Sequence, residues 1–305
     1  MKNQVKYVIC LFVLLQVITI GHLLYAQDNL DIRSFDEALV STYPTINTSL
    51  DLERFYIPES GSDTYWADNP QPLDSYKVEK DSSGLRNKEN YSKEKPEDTF
   101  RIGFFGDSFT EGMRVNQSDR WTNQLESRLN QDLNCGNKFQ GINFGVRGYD
   151  TPYSVEMFLQ EGKQYDNDLN IFLFTEDDIR VVNEIYYNPD ENDYRSTMSR
   201  LTREQLREKQ VSKPFEVLSE NIEETEKVMI VTAHITPEYE TIYREEAEKN
   251  GFQYASVHEI GTDLLNNWEK FSFQEIDDPH PNVEGHNIIS DFLFISLISN
   301  NQVRC

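Results

Sequence analysis

Arg101-Ile102-Gly103-Phe104-Phe105-Gly106-Asp107-Ser108-Phe109-Thr110 carries a short apolar run directly into a Gly-Asp-Ser turn. The run has the length and bounds of a buried strand. A serine at a strand-to-helix turn can be held exposed, with its backbone N–H aimed into the same space as its hydroxyl. Glycine at 106 lets the backbone approach a substrate closely. Taken alone, such a turn is just as often purely structural.

Outward from this stretch, strand and helix patterns alternate. Ser118–Leu133 has helical spacing through Trp121, Leu125 and Leu129. Phe139–Phe144 is a second strand, Pro152–Glu161 a helix and Asn170–Thr175 a third strand. Residues 181–222 are a charged, partly helical insertion. Lys227–Ala233 is a fourth strand, and Pro237–Asn250 a helix stopped by Gly251. Gln253–Val257 is a weaker fifth strand and Val283–Ser299 a final helix. This alternation predicts a three-layer α/β/α sandwich with a mostly parallel five-stranded sheet, wound like flavodoxin. Sites in such folds lie at the carboxyl ends of the strands.

Upstream, the chain changes character. Lys2 and Lys6 flank an apolar stretch, Tyr7–Ala26, of 20 residues, after which Asp28 and Asp31 begin an acidic region. This reads either as a signal peptide over 1–26 cleaved after Ala26 or as a retained membrane anchor of the same extent. Both place the body outside the cytoplasm, secreted or membrane-anchored. Residues 27–98 are polar and proline-bearing, an irregular segment before the domain at 99–305, although Phe55, Tyr56, Tyr65 and Trp66 argue against simple disorder. The net charge of −24 makes nucleic acid and anionic lipid surfaces poor partners. Membrane contact is expected only through the N-terminal anchor.

Two further strand-end segments carry chemistry-bearing residues. In Asp277-Asp278-Pro279-His280-Pro281-Asn282, an Asp three residues before a His can fix its tautomer from the same loop. In Asn143-Phe144-Gly145-Val146-Arg147-Gly148-Tyr149, a glycine can present its N–H to an oxyanion with no side chain in the way. For His234, His258 and His286 no motif is visible. No Cys-x-x-Cys or Cys/His cluster points to a metal, and no cofactor is expected.

Together, in this order, the three segments resemble the SGNH/GDSL hydrolase family. The resemblance is carried by Arg101-Ile102, Gly106-Asp107-Ser108-Phe109-Thr110-Glu111-Gly112 and Ile142-Asn143-Phe144-Gly145-Val146-Arg147-Gly148-Tyr149, with Gly84-Leu85-Arg86 upstream. It implies Ser108 as nucleophile, His280 as general base and then acid, and Asp277 as its orienting partner. It also implies an oxyanion hole from the N–H groups of Ser108 and Gly148 and an asparagine side chain after the third strand. Here that asparagine's place is taken by Asp177, within Phe174-Thr175-Glu176-Asp177-Asp178. An ionised carboxylate accepts hydrogen bonds and cannot donate one, so the resemblance is incomplete at the residue that would stabilise the transition state.

The resemblance implies hydrolysis of a carboxylic ester through an acyl-enzyme, on a small-molecule or carbohydrate ester and in particular an O-acetylated extracellular sugar. The same site can serve an O-acyltransferase, and with its oxyanion hole broken the fold can instead serve as a surface protein that holds glycan without turnover. A flavodoxin-like nucleotide module also fits the α/β pattern. It is weakened by the absence of Gly-x-Gly-x-x-Gly and Gly-Lys-Ser/Thr motifs.

Cys135 lies just past the first helix and Cys305 just past the last. In a flavodoxin-like winding these helices run side by side, so their far ends neighbour each other. A Cys135–Cys305 disulfide is the expectation, against two unrelated cysteines with one on a frayed tail.

Overall fold

The computed structural model describes residues 49–50, 52, 80–133, 136–188, 193–198, 201–260, 267–273 and 278–303. The leader at 1–26, Asp277, Cys135 and Cys305 lie outside the described residues. Among the described residues, no helix is long and apolar enough to cross a membrane.

In strand β1 (Thr99–Gly106), successive phenylalanines diverge: Phe105 enters one hydrophobic cluster and Phe104 the other. Side chains alternate along a strand, so a run apolar at every position must be covered on both faces. The same division separates Phe172 from Ile171 in β3 (Leu169–Phe174) and Ile230 from Met229 in β6 (Lys227–Thr232). With β2 (Lys138–Asn143) and β7 (Gln253–Ser256) these form a parallel sheet in the order β2-β1-β3-β6-β7. The outcome is the expected three-layer sandwich.

The helices are a short α1 (Ser108–Glu111), α2 (Trp121–Asp132), α3 (Thr151–Gln160), α4 (Asp177–Arg180), α5 (Arg203–Leu206), α6 (Lys213–Asn221), α7 (Pro237–Lys249) and α8 (Val283–Ser299). One face is covered by α3, α6 and α7 through Phe158, Phe215, Leu218, Tyr243 and Ala247. The other is covered by α2 and α8, whose Leu125, Leu129, Ile289 and Leu293 share a cluster. The first and last long helices therefore pack side by side, as the winding predicts. Arg128 of α2 reinforces this contact by pairing with Asp291 of α8 and lying over the Phe294 ring.

The described residues of 181–222 form a hairpin and a helical crossover. An antiparallel hairpin is formed by β4 (Val181–Asn188) and β5 (Asp193–Met198). Helix α6 then supplies the crossover from β3 to β6, with Phe215 and Leu218 fully buried beneath its charged outer face.

Part of the segment before β1 is bound to the domain. Leu85, Arg86 and Asn87 are buried, and the Arg86 guanidinium donates to the carbonyls of Gly112 and Val115 just beyond α1. Asn87 Oδ1 accepts from Asn143 N at 2.8 Å, at the end of β2. Residues 80–87 thereby brace the two loops that frame the carboxyl edge of the sheet.

Candidate active site

Ser108 is the first residue of α1, immediately after β1. The turn is tight for identifiable reasons. Gly106 has φ 149°, and a Cβ there would meet Thr110 Oγ1 at 2.5 Å and the Leu173 carbonyl at 2.6 Å. Asp107 caps α1 by accepting from Phe109 N at 2.8 Å. Gly145 lies so close to α1 that a Cβ would stand 2.5 Å from Glu111 N. The loop after β2 is thus pressed against the serine-bearing helix, and Gly148 on that loop has φ 79°.

His280 reaches the same place from β9 (Asp278–Pro281), which pairs antiparallel with β8 (Ser272–Phe273). Its Nε2 lies 2.7 Å from Ser108 Oγ. Three contacts hold this strand in place. Trp268 Nε1 donates to the Pro279 carbonyl at 2.8 Å, and Asn282 Nδ2 donates to the carbonyls of Lys270 and Ser272, each at 3.1 Å. Asn282 Oδ1 also caps α8 by accepting from Gly285 N. The fold thus brings Ser108 and His280 into hydrogen-bonding contact from positions 172 residues apart. The acid of the expected triad, Asp277, lies outside the described residues.

Asp177 opens α4 at the end of β3, on the same edge as Ser108, and is exposed. Its neighbour Asp178 is buried and accepts from both Thr175 N and Thr175 Oγ1, which fixes the turn. Asp107, next to the serine, and Asp178 are both buried carboxylates. Burial pushes the Asp107 carboxyl up to about 7, against its hydrogen bond from Phe109 N and the pull of His280. Burial, and then the charge of Asp107, also holds Asp178 well above the ordinary carboxylate range. Repulsion between buried carboxylates in low dielectric disfavours ionising both together.

Two contributors escaped sequence reasoning. The first is a buried ion pair between Glu111, at the end of α1, and Arg147, next to Gly148. Arg147 donates from N, Nε and Nη2 to the Glu111 carboxylate at 3.0, 3.0 and 3.1 Å. The second is His234, two residues past β6, whose ring stacks on Trp268 at 5.3 Å and lies 6.2 Å from that of Phe109. Phe109 in turn lies 5.5 Å from His280. Position was the available signal for both, since each belongs to a segment leaving the carboxyl end of a strand. Among the described residues, no group of His, Cys, Asp and Glu is arranged to hold a metal ion.

A parallel α/β/α sheet with a serine and a histidine in contact at its carboxyl edge defines a class of hydrolase folds. Residues 104–288 match the model of the GDSL-like Lipase/Acylhydrolase family, and the chain belongs to that family. No curated protein matches it. Among solved structures it is similar to a two-domain esterase (CEX) active on acetylated mannans, at 14% identity and TM-score 0.48, covering 68% of this chain and 50% of that one. It thus spans half the length of that esterase. It is also similar to TesA, at 13% identity and TM-score 0.46, covering 67% of this chain and 99% of that one. A lipase/acylhydrolase from Enterococcus faecalis aligns at 12% identity and TM-score 0.48, covering 66% and 96%.

Proposed function

We propose that this chain is a serine esterase that hydrolyses a carboxylic ester through an acyl-enzyme on Ser108. The observation that carries this reading is the 2.7 Å contact between His280 Nε2 and Ser108 Oγ on the Gly-Asp-Ser turn. Ser108 Oγ attacks the ester carbonyl while its proton passes to His280 Nε2, with Asp277 as the partner of the resulting imidazolium. Collapse of the tetrahedral intermediate expels the alcohol, which takes the proton from His280. Water then attacks the acyl-enzyme with the same proton traffic and releases the carboxylic acid. The N–H groups of Ser108 and Gly148 are the oxyanion donors in this scheme. An O-acetyl group on an extracellular carbohydrate is the substrate carried over from the family resemblance.

The exposed carboxylate of Asp177 favours a second reading, in which the site binds a glycan without turning it over. Labelling with a fluorophosphonate, followed by hydrolysis of p-nitrophenyl acetate and a longer-chain ester, separates the two. The esterase reading expects labelling and turnover in the wild type and neither in Ser108→Ala. Labelling that persists in Ser108→Ala removes Ser108 as the nucleophile, and a wild type without labelling or turnover leaves the binding reading.

A further inference from the structure

Four strand-end positions lie along the carboxyl edge in the order Gly148, Ser108, Asp177 and His234, following β2, β1, β3 and β6. The loops that carry the last two are joined by hydrogen bonds. Ala233 N donates to the Phe174 carbonyl at 3.0 Å, Glu176 N to the His234 carbonyl at 3.3 Å, and Thr236 N to Glu176 Oε2 at 2.9 Å. His234 is held in the left-handed region at φ 47°. That conformation is costly for a residue with a Cβ, and such strain gathers at functional sites.

The ring is confined as well. It stacks on Trp268, within the aromatic cluster that reaches His280 through Phe109. Yet it remains half-buried, and its nitrogens have no hydrogen-bond partner among the described residues. The exposed carboxylate of Asp177 likewise accepts no hydrogen bond from the described residues. Burial moves His234 toward the neutral form, with Asp177 and Glu176 pulling the other way. A neutral imidazole offers one donor and one acceptor, and a carboxylate offers acceptors only. Such groups on neighbouring loops complement hydroxyls, which both donate and accept.

We propose that His234 and Asp177 form a subsite for the alcohol half of the ester, selecting a neutral, polyhydroxylated alcohol. This rests on the esterase reading and adds the chemistry of the leaving group. The two loops follow β3 and β6, on the side of Ser108 away from Gly148, and His234 shares the Phe109–Trp268 aromatic wall with His280, which must protonate the departing alkoxide. The acidic neighbourhood of Glu176 and Asp177 disfavours anionic alcohols.

The test compares kcat/KM on an acetylated methyl glycoside with that on p-nitrophenyl acetate, whose leaving group bears no further hydroxyl. In His234→Ala the ratio of the two is expected to fall about 10-fold, the size of one lost hydrogen bond to a charged or well-ordered group, mostly through KM for the glycoside. His234→Asn tolerates a positive φ and keeps a donor and an acceptor, and is expected to recover much of the ratio. An acetylated uronate is expected to be a poorer substrate than the neutral glycoside. A ratio unchanged in both variants, or lost equally in His234→Asn and His234→Ala, overturns the subsite. A wild type that hydrolyses neither ester instead overturns the esterase reading itself.

Discussion

Glu111 and Arg147 tie the end of the serine-bearing helix to the loop that presents Gly148, through a bidentate ion pair in which both side chains are about nine-tenths buried. Burial raises the Glu111 carboxyl, but the charge and hydrogen bonds of Arg147, with Arg86 and Lys80, bring it down to about 2. The pair holds the loop carrying Gly148 against the helix carrying Ser108.

Removing one partner leaves the other charged and buried, which typically costs about 3–5 kcal/mol. Glu111→Gln is therefore expected to lower Tm by about 10 °C. It is also expected to lower kcat on p-nitrophenyl acetate by about 10-fold or more, because a shifted Gly148 N–H no longer meets the oxyanion. Differential scanning calorimetry and steady-state kinetics well below Tm check the two effects separately. A destabilised variant with unchanged kcat would leave the pair a purely structural one.

The buried carboxylate behind Ser108 gives a pH dependence of opposite sign. The folded-state value of Asp107, about 7, lies above its ordinary 3.8. Its contribution is therefore fully present below about pH 4 and lost as pH rises through 7. Glu111, lowered from 4.5 to about 2, contributes stability that is present above its ordinary value and lost as pH falls. From these two groups, stability is expected to peak near pH 4–5 and to decline toward pH 8, with Tm falling by about 5 °C or more. Asp107→Asn keeps an N-cap acceptor and removes the titration. Its Tm should be flatter between pH 5 and 8 than that of the wild type. Parallel curves would exclude Asp107 as the titrating group.

Asp177→Asn restores a side-chain donor at the edge beside Ser108. On p-nitrophenyl acetate it is expected to raise kcat by about 10-fold, a fraction of the 10²–10³ typical of a complete oxyanion-hole donor. Stopped-flow or steady-state kinetics across pH 5–9 measure this. A variant slower than wild type at every pH would show that position 177 does not face the oxyanion.

The outer logic of the fold was legible because β1, β3 and β6 are apolar at almost every position, which a parallel sheet requires. Helix α8 was legible to the residue from its long apolar body. Helix α6 was not, because Phe215, Val217 and Leu218 are isolated among Lys and Glu and their periodicity spans barely two turns. Ser108 and His280 stood out because each sits in a turn of unusual local composition. Glu111 and Arg147 did not, although both lie inside the recognised segments, because their pairing is 36 residues apart in sequence and local only in space. His234 carries no motif at all. Its place after β6, shared with its counterparts after β1, β2 and β3, becomes meaningful only once the strand order is known.

Trp268 supports the histidine from outside the sheet. Its ring is 4% exposed, stacks near Phe109 and His234, and its Nε1 donates to the Pro279 carbonyl next to His280. Trp268→Phe keeps an aromatic ring in the cluster and removes that donor. The lost hydrogen bond and reduced packing cost about 1–3 kcal/mol in stability. The larger expected effect is positional: β9 is a four-residue strand paired with a two-residue one, so few other backbone contacts hold His280 against Ser108. A misplacement of about 1 Å is enough to cost on the order of 10²-fold in rate. The rate of fluorophosphonate labelling and kcat on p-nitrophenyl acetate should therefore fall together by about 10-fold or more at temperatures where the variant is fully folded. If both stay at wild-type values while Tm drops, Trp268 acts through packing alone, and the other contacts around β9 suffice to place the histidine.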